Sequence, residues 1–235
     1  MSKRSFVIAD IHGCNKTFTR LLATLAIERT DIVYLLGDMI DRGPDSKVVI
    51  DTVIGLLADG FDIRCCLGNH EDMMLLAVHK GIFEDLLEWL ENGGDATLES
   101  YGVEHPQNIP EEHLQFLESL PLYHLRDGFV MVHAGADCTL ADPFSPEGRN
   151  YMLWDRTGVM DIGKLGGRKL VSGHCTRKLK DIRKAVKKNH LRIDNGCVYK
   201  GFADKGNLVA LDLDSGELFV QENIDEEPVE EASTS

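Results

Sequence analysis

Ile32-Val33-Tyr34-Leu35-Leu36 runs directly into Gly37-Asp38-Met39-Ile40-Asp41-Arg42-Gly43, an apolar stretch that breaks into glycines, two carboxylates and an arginine. Five apolar residues bounded by turn formers have the length of a buried strand and are too few for a helix. Two neighbouring stretches have the same form. Phe6 to Ala9 precedes Asp10-Ile11-His12-Gly13, and Ile63 to Leu67 precedes Gly68-Asn69-His70-Glu71. Between them lie segments of helical period. Phe18, Leu21, Leu22, Leu25 and Ala26 recur at i, i+3, i+4, i+7 and i+8, and Ile50, Val53, Ile54 and Leu57 keep that spacing over two turns. A third helix is predicted from Glu71, with Met73, Met74, Ala77 and Val78 on one face. The order βαβαβ predicts a mostly parallel sheet with crossover helices.

Residues 83–120 turn helical again, with Phe83, Leu86, Leu87 and Leu90 in register, a break at Gly93-Gly94, a loop from Pro106 to Pro110 and a last helix around Leu114, Leu117 and Leu120. This reads as a helical insertion or cap, which either walls a cleft or extends the core. Beyond it, Asp127-Gly128 joins Tyr123–Arg126 to Phe129–Val132 as a hairpin, and Asp214-Ser215-Gly216 joins Leu208–Leu213 to Glu217–Val220. A parallel first half and a more antiparallel second half predict a mixed α/β (α+β) fold, with a two-sheet β-sandwich core flanked by helices. One domain over 1–222 accounts for the pattern. Residues 223–235 have the composition of an acidic, flexible tail, since six acids and no base follow residue 221.

Composition narrows the classes further. With 235 residues, 43% hydrophobic and 27% charged, the chain is that of one soluble globular domain, which excludes coiled-coil, collagen-like and mainly disordered proteins. Six cysteines without a CxxC pair form neither a zinc ribbon nor a thioredoxin-like motif, so reduced thiols are expected. There is no apolar run of about 18 residues, and Met1 to Asp10 holds no secretory core. A cytoplasmic protein without a membrane partner is therefore expected. The net charge of −14 argues against sequence-independent nucleic-acid binding, which depends on cationic contacts to phosphate.

In open α/β sheets, ligands gather beyond the carboxyl ends of the strands. Five predicted strand ends are polar there: the three above, His133-Ala134-Gly135 after Phe129–Val132, and Gly173-His174-Cys175 after Lys169–Ser172. Singly, an Asp or His after a strand is usually a turn residue or helix cap. Gly-Asp-x-x-Asp-Arg-Gly, however, is expected by chance only on the order of 10⁻⁴ times in such a chain at average residue frequencies. Aspartate, asparagine and histidine together offer oxygen and imidazole donors without thiolate, a set suited to Mn, Fe or Zn. Six such residues are enough for two divalent ions sharing one carboxylate. No P-loop is present.

In order and spacing these motifs resemble the phosphoprotein-phosphatase branch of the calcineurin-like metallophosphoesterases, over about residues 5 to 220, and most closely the short bacterial and phage serine/threonine protein phosphatases. Ala9 and Cys175 depart from the usual glycine and threonine, and neither change removes a ligand. The resemblance implies the four-layer metallophosphoesterase fold and two divalent cations, Mn²⁺ foremost. It places Asp10 and His12 on the first ion, Asn69, His133 and His174 on the second, and Asp38 between them. It further implies that His70, oriented by Asp41, protonates the leaving alkoxide, and that Arg42 and Asn69 hold the phosphoryl group. Water then attacks phosphorus in line, without a phosphoenzyme. Arg156 is either a second phosphate-binding arginine or a surface residue stacked on Trp154.

The expected substrate is a phosphoprotein or a phosphorylated small molecule, with phosphoserine and phosphothreonine preferred. The alternative is a symmetrical bis(5'-nucleosyl)-tetraphosphatase, and a third possibility is a non-catalytic phosphate-binding module. Asp41 favours the first, because an alkoxide needs protonation more than a nucleoside diphosphate does. The third predicts loss of a ligand or of His70, and none is lost. Seven bases against one acid between Arg177 and Lys188 point either to an acidic or polyphosphate ligand or to a solvated face.

Overall fold

The computed structural model describes residues 3–225. Among these, Asp62–Cys65 (β3), Ile32–Leu35 (β2), Ser5–Ile8 (β1), Asn207–Asp212 (β8) and Leu218–Glu222 (β9) form one sheet in that order. β1, β2 and β3 run parallel, with Ser5 opposite Ile32 and Ile32 opposite Asp62, while β8 and β9 are antiparallel. The second sheet is ordered Tyr123–Arg126 (β4), Phe129–Val132 (β5), Lys169–Ser172 (β6) and His190–Arg192 (β7). β4 and β5 are the expected hairpin, yet β5, β6 and β7 run parallel. Both sheets are mixed, and the second is less antiparallel than its hairpin implies. Each has a parallel block of three strands, and the two blocks deliver their carboxyl ends to one region.

Strand alternation sets the layers. Phe6 and Ile8 join Val33 and Leu35 beneath the helices Asn15–Leu25 (α1), Ser46–Ala58 (α2) and Asn69–Lys80 (α3). Val7, Tyr34 and Val209 point the other way, onto Met131, Val171 and Leu191 of the second sheet. The far face of that sheet buries Val130, Val132 and Leu170 against Met152 of the short helix Arg149–Trp154 (α7). Helices, sheet, sheet and helix make the four layers expected. Burying each large apolar side chain in these layers contributes about 1.5–3 kcal/mol relative to leaving it in water.

The insertion holds Phe83–Trp89 (α4), Asp95–Tyr101 (α5) and Glu111–Glu118 (α6). The expected break is a wide helical turn over Leu90–Gly94, with Gly93 at φ 98°. A last helix, Leu179–Ala185 (α8), forms within the basic segment and buries Ile182. No helix among the described residues is long and apolar enough to cross a membrane.

The segment expected to be a flexible tail is packed where it begins. Cys14, at the head of α1, has no oxygen with which to cap the helix. The Asp225 carboxylate replaces it, accepting from the backbone N–H groups of Lys16 at 2.9 Å and Thr17 at 3.0 Å. Asn223 and Asp225 are both buried. The rest of the expected tail, 226–235, lies outside the described residues. Asp225→Ala is expected to lower stability by about 1–2 kcal/mol, the usual value of a helix cap. A thermal melt reads this as a fall of several degrees in Tm, and an unchanged Tm contradicts the capping role.

Candidate active site

Six strand ends meet at one cavity of about 310 Å³, whose lining includes Asp10, His12, Asp38, Arg42, Asn69, His70, Arg156 and His174. His133 lies fully buried beneath it, and Asp41, also fully buried, stands behind His70. Every residue expected at the site is therefore in it or against it. The turn after β2 and the start of α3 approach so closely that a Cβ on Gly37 would sit 2.5 Å from the Gly68 nitrogen, and one on Gly68 would sit 2.3 Å from that of Asp38. Among the described residues, five of the seven non-glycine positions with left-handed φ are His12, Asp38, Asp41, Arg42 and His174. Such conformations cost of order 1–3 kcal/mol each and persist where surrounding structure over-determines them.

Glu71 supplies much of that determination at the second strand end. Its Oε2 accepts from the N–H groups of Asp38 at 2.8 Å and Gly68 at 3.0 Å, and its Oε1 accepts from Met39 at 2.7 Å and Ile40 at 3.3 Å. Asp38 is thereby fixed at the centre. Its Oδ1 accepts from the His70 amide at 3.1 Å, and its Oδ2 lies 3.6, 3.5 and 4.0 Å from Nε2 of His12, His133 and His70.

Backbone carbonyls set the histidine tautomers. His12 Nδ1 donates to Ile40 O at 3.0 Å and His133 Nδ1 to Leu36 O at 2.9 Å, leaving both Nε2 lone pairs facing the cluster. His133 Nε2 lies 2.8 Å from Asn69 Oδ1 and 3.2 Å from His174 Nδ1, and those two atoms are 3.0 Å apart. Asp10 Oδ2 accepts from the His174 amide at 2.8 Å, tying the two sheets together. Its Oδ1 is buried without a hydrogen-bond partner. Converging lone pairs and an orphaned carboxylate oxygen fit divalent cations. Two groups of donor atoms lie within 4.8 Å of one another: His12, Asp38 and His70, and Asp38, His133 and His174. Asp38 belongs to both.

The electrostatics agree with this fit. Burial, then Asp194 and Asp38, push the Asp10 carboxyl well above its ordinary range. Burial and Asp38 push Glu71 up to about 7. At Asp38 burial is outweighed by the surrounding imidazoles, which hold it below the usual carboxylate range. Burial, then His133, brings His174 down to about 3. Cations among these groups would favour the charged carboxylates and the neutral imidazoles at once.

His70 Nδ1 bonds Asp41 Oδ2 at 2.7 Å. Asp41 also accepts from Trp89 Nε1 at 2.9 Å and Thr97 Oγ1 at 2.6 Å, so the helical insertion holds this pair from behind. Arg42 Nη1 donates to His12 Nε2 at 3.0 Å, and Gly93 O accepts from the Arg42 amide at 3.0 Å. Arg156 is exposed on the rim, while Trp154 stands edge-on to His174 with centroids 6.1 Å apart.

The roles of Glu71, Trp89 and Thr97 are not legible in sequence periodicity. Nor is Asp194, a cavity residue whose carboxyl burial raises to about 6. Its signal, Asp194-Asn195-Gly196, resembles the other strand ends but follows β7, which has only three residues.

A buried cluster of carboxylate, imidazole and amide donors at the edge of a two-sheet core has the make-up of a metal-dependent phosphoesterase site. The chain matches the Calcineurin-like phosphoesterase family over residues 3–191 and belongs to it. A symmetrical bis(5'-nucleosyl)-tetraphosphatase of Acidovorax sp. (strain JS42) is 34% identical, the match covering 47% of this chain and 48% of the relative. That of Nitrosomonas europaea is 33% identical over 56% and 44%. The chain thus spans about half the length of these curated relatives. Among solved structures, a chain assigned as a diadenosine tetraphosphatase aligns with TM-score 0.63 and 21% identity over 94% of this chain and 93% of that one. A serine/threonine phosphatase from Saccharomyces cerevisiae aligns with TM-score 0.62 and 14% identity over 95% and 81%. These two likenesses show the shared fold.

Glu71→Ala leaves four buried N–H groups without an acceptor and is expected to cost about 3–5 kcal/mol. Glu71→Gln, whose NH2 faces two of those N–H groups, recovers little of this. Urea melts of both variants check this, and a loss below about 1 kcal/mol in Glu71→Ala would show that the carboxylate does not hold the loop.

Proposed function

We propose that the chain hydrolyses the central anhydride of a dinucleoside tetraphosphate, giving two nucleoside diphosphates, with its relatives' tetraphosphatase names as the observation that carries the reading. This ranks the phosphoprotein reading second, reversing the order expected from the motifs. A specific observation keeps that second reading alive: the 2.7 Å His70–Asp41 pair suits an alkoxide leaving group, which must gain a proton.

Asp10, His12 and Asp38 are the proposed ligands of one cation, and Asp38, Asn69, His133 and His174 those of a second. When bound, such cations supply Lewis-acid charge to the phosphoryl oxygens and activate water. The remaining work falls to the chain's own residues. Arg42 presents two N–H groups to the phosphoryl oxygens, Asn69 orients the same group, and Arg156 can reach it from the rim. Burial works against a charged His70, but Asp38 and Asp41 prevail and hold its pKa above the ordinary value. It thus keeps a proton to give to the leaving oxygen. Water adds to phosphorus and releases a proton to solvent, the P–O bond to the leaving group breaks as its oxygen takes the His70 proton, and His70 is reprotonated from solvent.

The full chain in Mn²⁺ is expected to convert diadenosine tetraphosphate to ADP with a kcat/KM at least tenfold above that for a phosphoserine peptide. The reverse ranking restores the phosphoprotein reading. His70→Ala is expected to lower kcat by roughly 10²–10⁴ on an alkoxide ester, the usual contribution of general acid catalysis, and by less on the anhydride. Undiminished turnover of both substrates contradicts its role.

A further inference from the structure

The basic run after His174 does not form an evenly solvated face. Arg177, Lys184 and Lys188 converge with Arg192 and His190 on a second cavity of about 350 Å³, where Asp181 is the only acid. Arg177 also lines the catalytic cavity, so the two hollows share a wall. In a chain of net charge −14, four cations around one hollow are a local reversal of sign.

Arg192 is the anchor. Its side chain is 12% exposed, its nearest carboxylate oxygen, on Asp155, is 3.9 Å away, and its buried Nη2 has no hydrogen-bond partner. Asp155 is otherwise engaged, accepting from the Thr157 amide at 2.8 Å and the Gly158 amide at 3.0 Å. Nη1 reaches only the Arg156 carbonyl oxygen, at 3.5 Å. A guanidinium drawn out of water with no close anion is costly, and an anion in the cavity would supply one. Gly158 makes room for it: φ is +67°, and a Cβ there would lie 2.0 Å from Arg192 Nη2. Among the described residues, the Arg177 and Lys188 side chains make no hydrogen bond or ion pair, and Lys184 has only Asp181 at 3.9 Å.

We propose that the pocket between α8 and β7 is a subsite for the substrate phosphates lying beyond the scissile one, an inference that rests on the polyphosphate reading of the active site. A planar fork, two mobile ammonium groups and a shared arginine match a chain of phosphates entering from the metal cluster. An acidic peptide would need an extended row of cations, whereas these ring a single hollow that opens to solvent beside the catalytic cavity.

The test uses the full Mn²⁺-loaded chain, with metal in excess, and measures inhibition of p-nitrophenyl phosphate hydrolysis by ADP and by orthophosphate. Lys184 and Lys188 are both exposed, so the Lys184→Gln/Lys188→Gln double variant retains the fold. The expected result is a Ki for ADP raised roughly tenfold or more, in line with losing charge-assisted contacts, while that for orthophosphate moves less than twofold. Arg192→Gln is expected to act in the same direction. The proposal is overturned if neither constant changes, if both rise equally, which marks a diffuse field, or if a hexaglutamate peptide inhibits as well as ADP and loses its effect in the same variant. Should the wild type cleave no diadenosine tetraphosphate yet show the selective ADP effect, the proposed reaction falls and the phosphate pocket stands.

Discussion

Four carboxylates, those of Asp10, Asp38, Glu71 and Asp194, share one water-poor centre, and the molecule is organised around keeping them there. Like charges so close, and so far from solvent, are unfavourable unless something positive stands among them. Glu71 is satisfied by backbone amides and Asp38 by surrounding imidazoles. Asp10 retains an unpartnered oxygen. What remains uncompensated is a demand that divalent cations would meet.

This demand explains features of the fold that packing alone does not. Two parallel blocks of three strands, one in each sheet, direct their carboxyl ends to a common edge. His12, Asp38, Asp41, Arg42 and His174 hold left-handed backbone just where the chain leaves those strands. Strain of that kind is sustained by its surroundings: Glu71 under the second loop, Asp10 under the His174 amide, and Trp89 and Thr97 behind Asp41. The helical insertion does both things expected of it as alternatives, since Trp89 is buried core and Asn92 lines the cavity.

Much of this was legible in the sequence, because the signals are local. Apolar runs of strand length ending in Asp10, Asp38, Asn69, His133 and His174 mark their own position, and the period of Phe18, Leu21 and Leu25 marks the buried face of α1. The rest depends on contacts between distant residues. Asp225 looks like part of an acidic tail until α1 is seen to lack a cap 209 residues earlier. Trp89 and Thr97 look like ordinary helix residues until the insertion folds over Asp41. β7 is too short for periodicity to reveal, so Asp194 behind it and the parallel course of its sheet were hidden as well. Composition also cannot distinguish a solvated basic helix from one that turns Lys184 and Lys188 onto Arg192.

Crystals soaked in Mn²⁺ and measured at its absorption edge test the central claim most directly, because anomalous scattering locates the ions without reference to any reaction. Two peaks are predicted, both within bonding distance of Asp38, one beside Asp10 and His12 and the other beside Asn69, His133 and His174. Peaks elsewhere, or none at full soaking concentration, would mean that the buried carboxylates are balanced by protons, and the account would fail.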